Sequence, residues 1–199
     1  MKATELEPAV DFWARPTRSS KGDPDAKQVY EAVGFALSTW EMLENNFSFL
    51  FTVFVDTDSH AARRAYGSLA NNTARTDALR GAGEVFFSEW AVPKAEQEQF
   101  NRLLDHFERA AEKRHEIAHG IVMNVLDMGH FLIPPDYNSS KMAAFLDDEE
   151  YKKDTIARLR AQYRYTRNDI NEFSRRFGKL ADAAIEYVFF LRKKYLKRE

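Results

Sequence analysis

The chain has 199 residues, 44% of them hydrophobic and 14% aromatic, including 16 Phe; that is enough to build a real core, which excludes general disorder and suits one domain, or one domain with an elaboration. A net charge of −2 gives no overall basic field, so nucleic-acid binding has to come from a local patch. With no cysteine, disulfides, Cys-based zinc sites and Cys nucleophiles are excluded, and the expected compartment is a reducing cytoplasm.

Residues 1–25 are polar and carry Pro8, Pro16 and Pro24, which predicts a flexible N-terminal arm, ordered only where it docks. The arm has acidic residues and no apolar run, so it is not read as a signal peptide. Asp23-Pro24-Asp25 supplies helix-start chemistry. From about Ala26 to Val55 the apolar positions Val29, Val33, Ala36, Trp40, Leu43, Phe47, Leu50 and Phe54 step by three and four, predicting an amphipathic helix. Its apolar stretch FSFLFTVFV is nine residues, too short for a membrane span. Asp58 and Ser59 are candidate caps for a second helical stretch over about 60–90, which Gly81 and Gly83 are expected to weaken, bend or split.

Pro93 suits the first turn of a third helix, with Phe100, Leu103, Phe107, Ala110 and Ile117 on its apolar line and Gly120 at its end. IVMNV and HFLI, joined by Leu126-Asp127-Met128-Gly129, predict a small β-hairpin over about 121–135, closed by Pro134-Pro135. Residues 136–154, with DDEE at 147–150, read as an acidic loop with a short helix. The last helix spans about 155–195, with a break near 165–168 and a stripe of Ile170, Phe173, Phe177, Leu180, Ala184, Val188 and Leu191. The expected fold is all-α: a bundle of four to five helices over 26–199, with the hairpin inserted after the third helix.

The chemistry concentrates at KRHEIAHG, residues 113–120. The step after Ala110 on the apolar line lands on Arg114, and a buried guanidinium needs a partner, a snorkelled pose or a solvent-filled groove. His119 sits in the last turn beside the small residues Ala118 and Gly120. His115 and His119 are also spaced as two zinc ligands, with Glu116 as the general base of a zinc hydrolase. Against that stand Val122 and Val125 where an extended zinc motif needs Gly and His, and a helix that stops at Gly120. A third ligand would have to come from His130, Glu149 or Glu150.

Arg114-His115-Glu116-Ile117-Ala118-His119-Gly120 also resembles the signature of the HEPN superfamily (higher eukaryotes and prokaryotes nucleotide-binding): an Arg, usually followed by a polar residue, then a His after four to six intervening residues, here four. LSTWEMLENNFSFLF resembles first helices of such domains. The resemblance implies a HEPN-like bundle and a metal-independent endoribonuclease without cofactors, active as a homodimer whose motifs meet at the interface. It implies RNA as partner, a toxin or defence role, and a possible antitoxin or other regulatory protein. His119 is then the proton-transfer residue, Arg114 the phosphate clamp and His115 an auxiliary polar residue. Glu116 is left as an ordinary helix residue. Glu41 and Asn45, with Glu44, lie beside the stripe of the first helix as auxiliary candidates. Arg158, Arg160, Arg164 and Arg167, interleaved with Tyr163 and Tyr165, are candidates to bind RNA phosphates and stack bases. The alternative from another class is a non-catalytic HEPN module that binds nucleotide, RNA or a protein. Arg114 and His119 lie about 140° apart on an ideal helix, so fraying at Gly120, the length of Arg114 or a second motif across a dimer is needed to bring both to one phosphate, and the dimer is the favoured explanation.

Overall fold

The computed structural model describes residues 7–125, 128–135 and 163–196. Helix α1 is a single turn, Ala9–Phe12; α2 spans Ala26–Phe54, α3 His60–Gly67, α4 Asn72–Glu89 and α5 Lys94–His119. Strands β1 (Ile121–Asn124) and β2 (His130–Ile133) follow, and α6 runs from Arg167 to Tyr195. The protein is thus mostly helical with one small antiparallel sheet. Among the described residues, no helix is long and apolar enough to cross a membrane.

The chain divides into two compact units, one of Met1–Ala14, Ser38–Glu112 and Arg175–Glu199, the other of Arg15–Leu37 and Lys113–Ser174. The boundaries fall inside α2, α5 and α6, so these three helices contribute residues to both.

The first unit is built on aromatic packing. Trp40, Leu43, Phe47, Leu50 and Phe54 of α2 are buried at the spacing their sequence dictates. Phe107 of α5 stacks on Phe47 at 4.1 Å and on Trp40 at 5.3 Å. Phe54 meets Phe100 edge-on at 4.9 Å. Gly83 lies against this group: a Cβ there would come within 3.1 Å of the Phe100 ring. Gly83 therefore sits inside α4 because two aromatic rings need its missing side chain, and neither it nor Gly81 splits the helix.

The stretch over 60–90 does divide, ten residues earlier than the glycines suggested. Ser59 caps α3 by accepting from the Ala61 N–H at 3.1 Å. Ser68 closes it, its own N–H donating to the Arg64 carbonyl and its hydroxyl to Ala65 O. Asn71, in extended conformation, starts α4 by accepting from the Ala74 N–H at 2.9 Å. Two caps within four residues outweigh the periodic apolar pattern.

The arm is packed where it is described. In the first unit Phe12 and Trp13 are buried, Trp13 to 2% exposure, because the Trp13 indole N–H finds an acceptor on His106. In the second unit Asp25 caps α2 through the Lys27 N–H. Asp23 instead caps α6, its carboxylate accepting from the Arg167 N–H at 2.7 Å. Thr166 and Asp169 complete that helix start as a reciprocal capping box. The last helix therefore begins at the expected break, while residues 155–162 and the acidic stretch 136–154 lie outside the described residues. All seven residues of its predicted stripe are buried.

The hairpin pairs Ile121 with Ile133 and Asn124 with His130. On its far side β2 exchanges backbone bonds with Asp23 at His130 and with Tyr165 at Leu132. Phe131, Ile133 and Val125 form a buried apolar cluster.

Candidate functional site: the last turn of α5

Within the second unit, α5 ends in Lys113–His119 and meets β1 through Gly120. A Cβ on Gly120 would stand 2.7 Å from Leu132 Cγ and 3.0 Å from the Glu116 carbonyl, so only glycine lets the helix end lie this close to the hairpin. The apolar line of the helix continues differently from the sequence expectation. Its next buried position is Lys113, at 7% exposure, and Arg114 is half-buried on the flank. Either a step of three or a step of four fits the pattern, and the lysine takes the inward one because a carboxylate awaits it.

That carboxylate is Glu116. Its side chain accepts hydrogen bonds from the Tyr165 hydroxyl, Arg15 and Lys113, the last at 3.2 Å. Its backbone carbonyl accepts from the Tyr163 hydroxyl at 2.7 Å. The two tyrosine rings stack at 4.7 Å, and the Arg15 guanidinium lies 5.7 Å from the Tyr163 ring centroid. Burial, and secondarily the Glu116 charge, push both phenols well above their ordinary pKa, so both remain hydrogen-bond donors. Far from an ordinary helix residue, Glu116 ties the arm, the helix end and the segment before α6 together.

Among the described residues Arg114 has no hydrogen bond or ion pair, and its buried Nε finds no hydrogen-bond partner there. His115 and His119 are exposed on one face of the turn, their ring centroids 4.4 Å apart and the planes tilted by 46°. Partial burial, then the neighbouring His119 and Arg114 charges, hold the His115 pKa below its ordinary value against the opposing pull of Glu116. The result is a cation and two imidazoles at a helix end whose nearest carboxylate in sequence is already engaged.

The zinc arrangement finds little here. Glu116 is committed to three donors and is not free to serve as a base toward a metal-bound water. Among the described residues, no group of three or more His, Asp and Glu could hold a metal ion. Glu149 and Glu150 lie outside them.

The remaining candidates are placed as follows. Glu41 is exposed on α2 in the first unit, where Asn45 accepts from Arg63 and Glu44 pairs with Arg75. Arg164 donates to Ser19 O at 2.6 Å and lies over the Phe131 ring. Arg167 pairs with Asp23 at 3.3 Å. Tyr163 and Tyr165 are 6% and 1% exposed, so neither ring offers a face on which a base could stack. Arg158 and Arg160 lie outside the described residues. Arg15 and the two tyrosines are missed as partners of Glu116 because they lie far from it in sequence; Lys113 gives the one local signal, at i,i+3.

No protein-family model matches the chain, and no curated protein or solved structure matches it.

Proposed function

We propose that the chain is a metal-independent endoribonuclease of the HEPN type, acting on RNA as a homodimer, with a toxin or defence role. The observation that carries this reading is the Arg114 guanidinium, which has no hydrogen bond or ion pair among the described residues, beside two exposed imidazoles. A guanidinium without a carboxylate partner is a ready site for a phosphate, which it holds bidentately and whose developing negative charge it stabilises. An imidazole moves protons at neutral pH, as 2′-OH attack on that phosphate requires. Arg114 and His119 diverge by about 140° around the helix, which supports a site completed by a second copy: Arg114 from one chain, the histidines from the other.

The test is cleavage of a single-stranded RNA oligonucleotide in excess EDTA, giving a 2′,3′-cyclic phosphate and a 5′-hydroxyl end. Arg114→Ala and His119→Ala are each expected to abolish it with melting temperature and dimer unchanged. Cleavage lost on chelation and restored by zinc would return the site to the hydrolase reading. RNA bound but left uncut would make the protein a binding module.

A further inference from the structure

We infer that His115 and His119 of one chain form the complete acid–base pair of the reaction, His115 as general base toward the 2′-hydroxyl and His119 as general acid toward the leaving 5′-oxygen. This rests on the endoribonuclease reading and goes beyond it, since the resemblance makes His115 only an auxiliary polar residue.

The geometry is that of a matched pair. The two rings stand one helical turn apart, in contact, and both are exposed on the same face. Neither has a hydrogen-bond partner among the described residues that would fix it in a purely structural role. Attack by a 2′-oxygen and departure of a 5′-oxygen occur at one phosphorus, so the base and the acid must reach the same phosphate from neighbouring positions. Two imidazoles this close also cannot both carry a proton cheaply. The like-charge contact with His119 disfavours protonation of His115, which leaves it free to take a proton. The surroundings say which ring is which. Arg114 flanks His115 on the helix, and Glu116, the one carboxylate beside it in sequence, is engaged by Arg15, Lys113 and Tyr165, with Tyr163 on its carbonyl. Positive charge around His115 is thus better compensated elsewhere than at the ring, and its lowered pKa agrees with its being the neutral member.

The step balances. An unprotonated ring nitrogen of His115 takes the 2′-hydroxyl proton while the 2′-oxygen bonds to phosphorus. The phosphorus–5′-oxygen bond breaks, and the 5′-oxygen leaves with the proton from His119. The products are a 2′,3′-cyclic phosphate and a 5′-hydroxyl, and the pair returns to its starting state by proton exchange with water.

The experiment is the pH dependence of kcat/KM for cleavage of the same RNA oligonucleotide in EDTA, over about pH 5 to 9, for the full chain and for His115→Asn and His119→Asn. The wild type is expected to give a bell. His115→Asn should lower kcat by about 10²- to 10⁴-fold and lose the acidic limb, because that limb reports the base becoming neutral. His119→Asn should lose the basic limb instead. Mixing separately inactive chains then tests whether the pair acts within one chain. Arg114→Ala with His119→Ala should recover about a quarter of wild-type sites through mixed dimers. His115→Ala with His119→Ala should recover none, since no chain carries both imidazoles. Because both rings are exposed, these variants should keep the wild-type melting temperature; an NMR titration, in which His119→Asn should raise the His115 pKa, reads the coupling without any activity. Wild-type activity and an unchanged bell in His115→Asn would overturn the inference and leave the endoribonuclease standing. Wild-type protein that cuts no RNA would overturn both.

Discussion

The two parts of α5 solve the same packing problem by opposite means. Over 100–110, in the first unit, the inward positions are Phe100, Leu103, Phe107 and Ala110, which are held by area and shape alone. Over 113–117, in the second unit, the inward positions are Lys113, Glu116 and Ile117, and a polar cluster around one carboxylate replaces the aromatic stack. A hydrophobic core tolerates loss in proportion to the volume removed, whereas a buried polar cluster depends on its shared member, because every donor left behind becomes an unpaired buried group. The helix is thus sturdy where it only packs and specifically wired where it carries the candidate site.

The largest expected effect lies in the aromatic half. Phe107 is fully buried between Phe47 and Trp40, and Phe107→Ala is expected to lower stability by about 3–5 kcal/mol in urea unfolding followed by tryptophan fluorescence. Next comes the shared member of the polar cluster. Glu116→Ala strips Lys113 of its anion and is expected to cost about 3 kcal/mol, the low end for a broken buried pair because Arg15 is partly exposed and re-solvates. Tyr165→Phe removes one donor and keeps the ring, for about 1.5 kcal/mol. If Glu116→Ala proved no worse than Tyr165→Phe, the carboxylate would not be the shared member, and the contrast between the two parts of the helix would fail.

This contrast also decides what was legible in the sequence. The apolar lines of α2, α5 and α6, the hairpin and the glycine at the end of α5 follow from periodicity and turn chemistry, which are local and survive without knowledge of neighbours. The division of α3 from α4 was misplaced because Gly81 and Gly83 are conspicuous while Ser68 and Asn71 are common residues whose capping depends on backbone geometry. The Glu116 cluster is hidden for a different reason: Arg15, Tyr163 and Tyr165 come from segments remote from Glu116 in sequence, and only Lys113, at i,i+3, is joined to it by a spacing rule. Arg114 and His119 could be singled out because they share one helix turn and its neighbour. The same adjacency hid which of Lys113 and Arg114 points inward, since helical steps of three and four are equally regular.

The smallest effect expected concerns a histidine on the aromatic part of α5. His106 is buried, and its two nitrogens are assigned by their partners: the Trp13 indole N–H is only a donor, so Nδ1 accepts from it at 3.2 Å, and Nε2 carries the proton toward the Glu7 carbonyl at 2.9 Å. Burial lowers its pKa despite the favourable Glu7 contact and the nearby Asp105. Above about pH 6.5 folded and unfolded chains both hold the ring neutral, and it contributes no pH dependence. Below that value the unfolded chain takes up a proton that the folded chain refuses, so stability falls as pH falls, by at most about 1.4 kcal/mol per pH unit, until the folded-state pKa is passed. His115 adds a dependence of the same sign, which makes the comparison with His106→Gln the decisive one. Glutamine offers both an acceptor for Trp13 and a donor for Glu7 without titrating. Subtracting its urea-unfolding free energies from those of wild type between about pH 7 and pH 5 should leave a slope in which wild type loses stability on acidification. A difference that is flat across the range would mean that His106 titrates alike in both states and that burial does not hold it neutral.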